Sequence, residues 1–228
     1  MDALEARYRH LQNGIAAASG PAASRLLAVS KLQPAASVRA LARLGQRGFG
    51  ENYVQEALAK QGELSDLELE WHLIGPLQSN KCREVARHFD WVQSVDRDKL
   101  PPLLDRERPA GLPPLNVLLQ VNVDGEAGKA GCAPEAVPAL AAKVAALPRL
   151  RLRGLMAIPE PHPDPARRRA AFAALRKLFD SLGAEHPDID TLSMGMSDDY
   201  ALALAEGATL IRVGTALFGP RPARPEPA

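Results

Sequence analysis

The sequence predicts an α/β protein, a single eight-stranded (β/α)8 barrel of the TIM type, and three observations carry that expectation. Eight short runs rich in Val, Ile and Leu alternate with stretches of helical pattern. The runs are nearly continuously apolar, as strands buried on both faces of a parallel sheet must be. All 228 residues run on without a linker or a break in composition, a size normal for one such barrel. An open, doubly wound sheet would show the same alternation, because periodicity does not register closure. Residues 1–228 are therefore expected to form one domain, with an N-terminal helical segment (1–24) packed on the barrel and a proline-rich tail (220–228).

The elements follow in order. MDALEARYRHLQNGIAAASG is an amphipathic, charged helix from Ala3 to Ala18 that takes the place of a helix missing after the last strand. It lacks the apolar core run of a signal peptide. LLAVS (26–30) is the first strand, and PAASVRALARLG the helix after it, with Pro34 at its first turn and Gly45 at its end. RGFGEN leads into YVQEALAKQG, LEWHLIG into QSNKCREVARHF, and DWVQSV into DRDKLPPLLDRER. LNVLLQVNV is the clearest strand and precedes APEAVPALAAKVAALP. LRGLMAI precedes the long helix DPARRRAAFAALRKLFDSLG, whose Arg167–Arg169 run is a solvated face. DTLSMG precedes SDDYALALAEGA, and TLIRVGTALFG closes the series.

Composition excludes several classes of function. Lys and Arg number 28 against 27 Asp and Glu, so no electrostatic footprint exists for nucleic acid or an anionic membrane. Aromatics are 4%, too few to stack single-stranded nucleic acid. No run approaches the 18 or so apolar residues of a membrane span. Cys82 and Cys132 form no CxxC pair, which argues against a disulfide framework and a cysteine zinc site. The five histidines lie in no HExxH pattern, and no metal site is expected. GPLQSNK lacks the spacing of a P-loop. A reduced, cytoplasmic protein is the expectation.

In an α/β barrel the active site lies at the C-terminal ends of the strands. Here those ends collect polar residues: Lys31, then Glu51 and Asn52, His72, Asn122 and Asp124, the segment SMGMS, and Arg212 with VGT, whereas the strand starts are bland. Ser197 is placed to cap the helix after strand seven, with Asp198 and Asp199 in its first turn. Gly214 and Thr215 follow strand eight. A glycine turn, a hydroxyl and a helix start after strands seven and eight suit a phosphate; turn glycines and a cap are the plain alternative. Lys31 ends an apolar strand, and desolvation there would lower its pKa from about 10.4 and make the amine a nucleophile for a carbonyl. Pyridoxal 5′-phosphate (PLP) is an aldehyde that carries a phosphate. A sugar phosphate handled by an aldolase-type lysine meets the same description, and a lysine reaching solvent at a strand end is the bland reading. His72, between Trp71 and Leu73, reads first as a satisfied core histidine.

LLAVSK, FGENYVQE, WHLIGPLQSNK, QSVD, EAGKAG, RGLMAIP and LSMGMSDDYALALAEGATLIRVGTALFG, spread from Leu26 to Gly219, resemble the pyridoxal phosphate homeostasis family of PLP-binding proteins. The resemblance implies a fold-type III PLP barrel, like the N-terminal domain of alanine racemases and without their C-terminal β domain. It implies PLP as cofactor, held by Lys31 as an imine, with Ser197, Gly214 and Thr215 at the phosphate and Arg212 facing the pyridine nitrogen. Asn52 and Met194 become cofactor neighbours. An arginine keeps its proton, so the ring nitrogen stays unprotonated and the ring is a poorer electron sink. The implied function is intracellular PLP homeostasis, by a monomer that supplies apoenzymes transiently and affects amino-acid and keto-acid balance, with no turnover and no catalytic residues. The alternative is a weak PLP-dependent amino-acid racemase or lyase, for which the opposing base is missing.

Overall fold

The computed structural model describes residues 3–18, 24–126 and 128–219. Eight parallel strands close into a barrel in sequence order: β1 (Arg25–Val29), β2 (Gly48–Glu51), β3 (Glu70–Leu73), β4 (Trp91–Val95), β5 (Leu115–Gln120), β6 (Leu150–Met156), β7 (Thr191–Ser193) and β8 (Leu210–Val213). β8 returns to β1 through the register Arg25↔Leu210 to Ala28↔Val213, so the sheet has no edge. The expected closed barrel is therefore present, and the open-sheet alternative is not. Strand ends are shorter than the apolar runs suggested. LNVLLQVNV, for example, stops pairing as a strand at Gln120, where Val121 makes an isolated bridge to Cys132.

The helices are α1 (Ala3–Ala18), α2 (Ala35–Arg43), α3 (Val54–Glu63), α4 (Cys82–His88), α5 (Leu100–Glu107), α6 (Val137–Ala145), α7 (Pro165–Glu185), α8 (Tyr200–Ala205) and the single turn α9 (Thr215–Phe218). Each buries one stripe. Tyr8, Leu11 and Ile15 of α1, spaced three and four apart, face the barrel. α1 packs against α9, α8, α2 and β1 and so takes the eighth helical place. Arg7 locks it there, donating from Nε to the Leu217 carbonyl at 2.7 Å and from Nη2 to the Phe218 carbonyl at 3.0 Å. Those carbonyls end a helix too short to satisfy them internally. α7 starts where Asp164 accepts from the Ala166 N–H at 2.9 Å, with Pro165 in the first position.

One large apolar layer fills the space between sheet and helices, and a separate cluster of Trp91, Leu118 and Met156 lies apart from it. Gln93 on β4 and Ser193 on β7 are not neighbours in the barrel, yet their side chains are 2.7 Å apart. That contact can only cross the lumen, so the barrel interior is partly polar. Among the described residues no helix is long and apolar enough to cross a membrane.

Candidate cofactor site

The C-terminal strand ends surround a cavity of about 340 Å³. Val29, Lys31 and Gln33 come from the end of β1, Asn52 from β2, Ile74 from β3 and Ile158 from β6. Met196, Ser197 and Asp198 follow β7, and Arg212, Gly214 and Thr215 come from β8 and its turn. Six of the seven residues expected from the sequence thus line one space: Lys31, Asn52, Ser197, Arg212, Gly214 and Thr215. Met194 does not. It points into the apolar layer, fully buried, and Met196 two positions on lines the cavity instead.

The segment after β7 also differs from expectation. Ser197 does not cap α8, which starts at Tyr200; Asp199 takes the cap position, and its Oδ1 accepts from the Met196 N–H at 2.6 Å. Ser197 Oγ faces the other turn, accepting from the Ala216 N–H at 3.3 Å. The loops after β7 and β8 are thereby joined, with the Ser197 hydroxyl, the Gly214 turn and the Thr215 hydroxyl on one side of the cavity. Gly195 makes the approach possible. Its φ is +90°, and a Cβ there would lie 2.5 Å from the Ala203 Cβ on α8.

Lys31 follows Ser30 in a turn closed by the Gln33 N–H on the Ser30 carbonyl, at 3.0 Å. The next residue, Leu32, has φ +61°, a left-handed conformation that costs a branched residue about 1–2 kcal/mol. Such strain persists only where the surroundings impose it. Here they do: the Leu32 N–H donates to Glu56 Oε1 at 2.5 Å, and Lys60 Nζ ties that carboxylate, at 2.7 Å, to the Ser30 carbonyl, at 2.6 Å. The same ammonium reaches Glu51 Oε1 at 2.7 Å, and Ser30 Oγ donates to that oxygen at 2.6 Å. Burial pushes the Glu51 carboxyl above its ordinary value, against the pull of Lys60. A second, buried lysine therefore clamps the backbone that presents the first. The sequence carried one signal for it. Lys60 shares its face of α3 with buried Ala57, where a plain amphipathic helix would place an apolar residue.

Other strand-end residues take structural roles. Glu51 belongs to the Lys60 cluster and does not line the cavity. Asn122 closes its own loop on the Glu126 carbonyl at 2.9 Å. His72 lies away from the cavity, wholly buried, stacked on Trp91 with ring centroids 5.1 Å apart and bonded to Glu70 at 2.7 Å. The core-histidine expectation describes its surroundings. Both cysteines are buried and unbridged. Among the described residues no three His, Cys, Asp or Glu side chains are grouped to hold a metal ion.

Comparison with known proteins agrees with this geometry. The family model described as alanine racemase, N-terminal domain, matches residues 1–222. A pyridoxal phosphate homeostasis protein of Pseudomonas aeruginosa is 63% identical over 206 residues, covering 90% of this chain and 88% of that one. The chain belongs to the pyridoxal phosphate homeostasis family. A relative solved with PLP bound, PipY of Synechococcus elongatus, is 43% identical with a TM-score of 0.85, covering 95% of this chain and all of that one. Alanine racemase of Corynebacterium glutamicum superposes with a TM-score of 0.68 at 17% identity, covering 97% of this chain and 62% of that one, a likeness of fold alone. Family membership thus joins the expected barrel to the expected class of cofactor protein.

Proposed function

We propose that this chain binds PLP covalently through Lys31 and serves cofactor homeostasis without turning over a substrate. The observation that carries the reading is one cavity lined together by an amine, a hydroxyl-and-glycine turn and a buried guanidinium. Its volume lies within the range of about 300–1,000 Å³ usual for small-molecule sites. The named relatives of the family, and the PLP in PipY, support the choice of cofactor.

The residues present fit the group. Bound PLP supplies an aldehyde that condenses with an amine and a ring that delocalises charge. Lys31 offers the amine from a turn that Lys60 holds rigid. Ser197, Gly214 and Thr215 offer a hydroxyl pair and a glycine turn for the phosphate. Arg212 is buried at the cavity wall. Burial lowers its pKa, to about 10, against the raising pull of Asp199, so it stays charged at neutral pH. A donor that keeps its proton hydrogen-bonds a ring nitrogen without protonating it. Asn52 lines the wall beside Lys31.

The lining also supports a non-catalytic role. Among the described lining residues only Lys31, Asp198 and Arg212 are ionisable, so no His, Cys or Tyr stands opposite Lys31 as a second base. We further infer a cytoplasmic monomer that meets apoenzymes transiently; Leu32, Tyr53 and Ile158, at or next to lining positions, are exposed apolar side chains suited to brief contact.

The test is the visible absorbance of the purified protein titrated with PLP, beside Lys31→Ala, each then reduced with borohydride and mapped by peptide mass. The expected result is a visible band in the unaltered protein and the reduced cofactor on the Lys31 peptide, both lost in the variant. PLP found on other lysines, or on none, would overturn the assignment. Product release from added amino acids at a steady rate would favour the racemase or lyase instead.

A further inference from the structure

The barrel lumen holds a line of buried polar side chains that the cofactor cavity does not account for. Arg212 Nη1 donates to Ser193 Oγ at 2.7 Å, and Ser193 Oγ donates to Gln93 Oε1 at 2.7 Å. Gln93 Nε2 lies 2.9 Å from His72 Nδ1, and His72 Nε2 lies 2.7 Å from Glu70 Oε1. His72, Gln93 and Ser193 have no exposed surface, and Arg212 almost none. The line runs from β8 and β7 across to β4 and β3, and from the cavity to the opposite end of the barrel, where Arg25 lies 3.8 Å from Glu70.

Its two ends, with a neutral imidazole between them, fix the direction of every bond along it. A guanidinium only donates, and a carboxylate only accepts. Ser193 Oγ therefore accepts a hydrogen bond from Arg212 and donates one to a carbonyl oxygen. Gln93 must present that oxygen to Ser193, which leaves its NH2 for His72. His72 must then accept at Nδ1, and its remaining proton sits on Nε2, against Glu70. The imidazole is neutral. Burial drives its pKa down, opposed by Glu70, and a proton on Nδ1 would face the amide NH2. Burial works against the Glu70 carboxylate in turn, but the bond from His72 and the nearby charges hold it down to about 2. Each dipole in the line turns its negative end to Arg212 and its positive end to Glu70, so the bonds polarise one another.

An apolar filling of the lumen would be less costly than a buried polar line. We propose that His72, Gln93 and Ser193 are positioning residues for the cofactor: a one-way hydrogen-bond chain, anchored on Glu70, that fixes the Arg212 guanidinium at the wall of the cavity. The chain and the Ala157 carbonyl, which accepts from Nη2 at 2.8 Å, take two of the five N–H donors and hold the guanidinium plane. The inference rests on the PLP reading, since the cavity side of Arg212 needs a ligand for its orientation to matter. It makes the far end of the barrel responsive to the cofactor, because a change in the bond on one side of Arg212 alters the bonds behind it.

The experiment is 15N NMR of histidine-labelled protein, without PLP and with saturating PLP, with the His72 signals assigned from His72→Gln. Ser193→Ala and Gln93→Leu are measured alongside, together with their PLP affinities by absorbance titration. The expected His72 is neutral and protonated on Nε2, its nitrogen shifts move on loading, and Ser193→Ala abolishes that movement. Both variants keep covalent PLP on Lys31 but bind it about tenfold more weakly, the worth of about one hydrogen bond to a charged group. The unaltered protein reports the tautomer and its response by itself, so a variant that fails to fold leaves the test standing. Normal PLP uptake with an unmoved His72, an Nδ1-protonated or charged His72, or unchanged affinity in both variants would overturn the chain alone. Failure of the unaltered protein to take up PLP would overturn the cofactor reading, and this inference with it.

Discussion

Replacing Lys60 by methionine should destabilise the fold by about 3–5 kcal/mol, a large share of the roughly 5–15 kcal/mol that holds an ordinary domain folded. The three protons of its ammonium meet three acceptors, the Ser30 carbonyl, Glu51 Oε1 and Glu56 Oε1, at 2.6, 2.7 and 2.7 Å. Its side chain is 6% exposed, that of Glu51 not at all. Methionine keeps the apolar stem and removes the charge. Glu51 would keep the Ser30 hydroxyl on one oxygen, while its other oxygen, Oε2, has no hydrogen-bond partner even in the intact protein. The cost is that of a buried carboxylate left without its cation, so adding Glu51→Gln should recover more than half of it, at least about 1.5–2.5 kcal/mol. Urea unfolding without PLP measures each variant, with the slope of the transition checked for constancy. The loss should also depend on pH. Burial already holds the Glu51 carboxyl above its ordinary 4.5, and without Lys60 it rises further. Between 4.5 and the raised value the unfolded chain has released a proton that the native state keeps, so stability falls as pH rises. The deficit of Lys60→Met should therefore shrink toward pH 4.5 and grow toward pH 7. A loss below 1 kcal/mol, or a double variant as unstable as the sum of the single ones, would refute the account of Lys60 as the clamp behind Lys31.

Two further outcomes follow from packing and burial. Gly75→Ala would set a Cβ 2.2 Å from the Asn52 carbonyl oxygen, backbone that cannot turn aside, so Asn52 must move at the cavity wall; about 1–3 kcal/mol of stability and part of the PLP affinity should be lost. Gly62→Ala, in the last turn of α3 with open space around it, should instead leave stability unchanged or raise it by up to about 0.5 kcal/mol, and equal effects of the two would show that the contact is irrelevant. Burial pushes the Cys82 and Cys132 thiols from 9.0 up to about 11. The native state thus keeps protons that the unfolded chain sheds, and stability should fall as pH rises from 9 to 11. Labelling with a thiol reagent at pH 8 should require unfolding; rapid modification of both cysteines in the native protein would contradict their burial.

The architecture was legible because it is written in local pattern. Runs such as LLAVS and LNVLLQVNV are apolar on both sides, as only strands covered on both faces require, and the 8, 11, 15 spacing in α1 marks the stripe it buries. Residues carried to one end of the barrel could be read from strand ends, since a parallel barrel puts every C-terminal end on one rim. That is why Lys31, Asn52, Ser197, Arg212, Gly214 and Thr215 were found together.

Direction and partnership were not legible. Met194 and Met196 sit two apart in one loop, and the turn around Gly195, at φ +90°, sends the first into the apolar layer and the second to the cavity. Ser197 precedes a helix in the sequence but serves the neighbouring turn, because the helix starts three residues later and the β8 loop lies beside it. Lys60 stands 30 residues from Ser30, brought beside it by the pairing of β1 with β2, and Gln93 stands 100 from Ser193, a pair that only closure of the barrel brings together. The sequence by itself determined which residues are strand, which are helix and which rim collects chemistry, because those follow from periodicity and from the hand of the α/β unit. Tertiary structure alone decided which polar atoms meet inside, because a hydrogen bond is set by ångström-scale distance and direction in space, to which separation along the chain is blind.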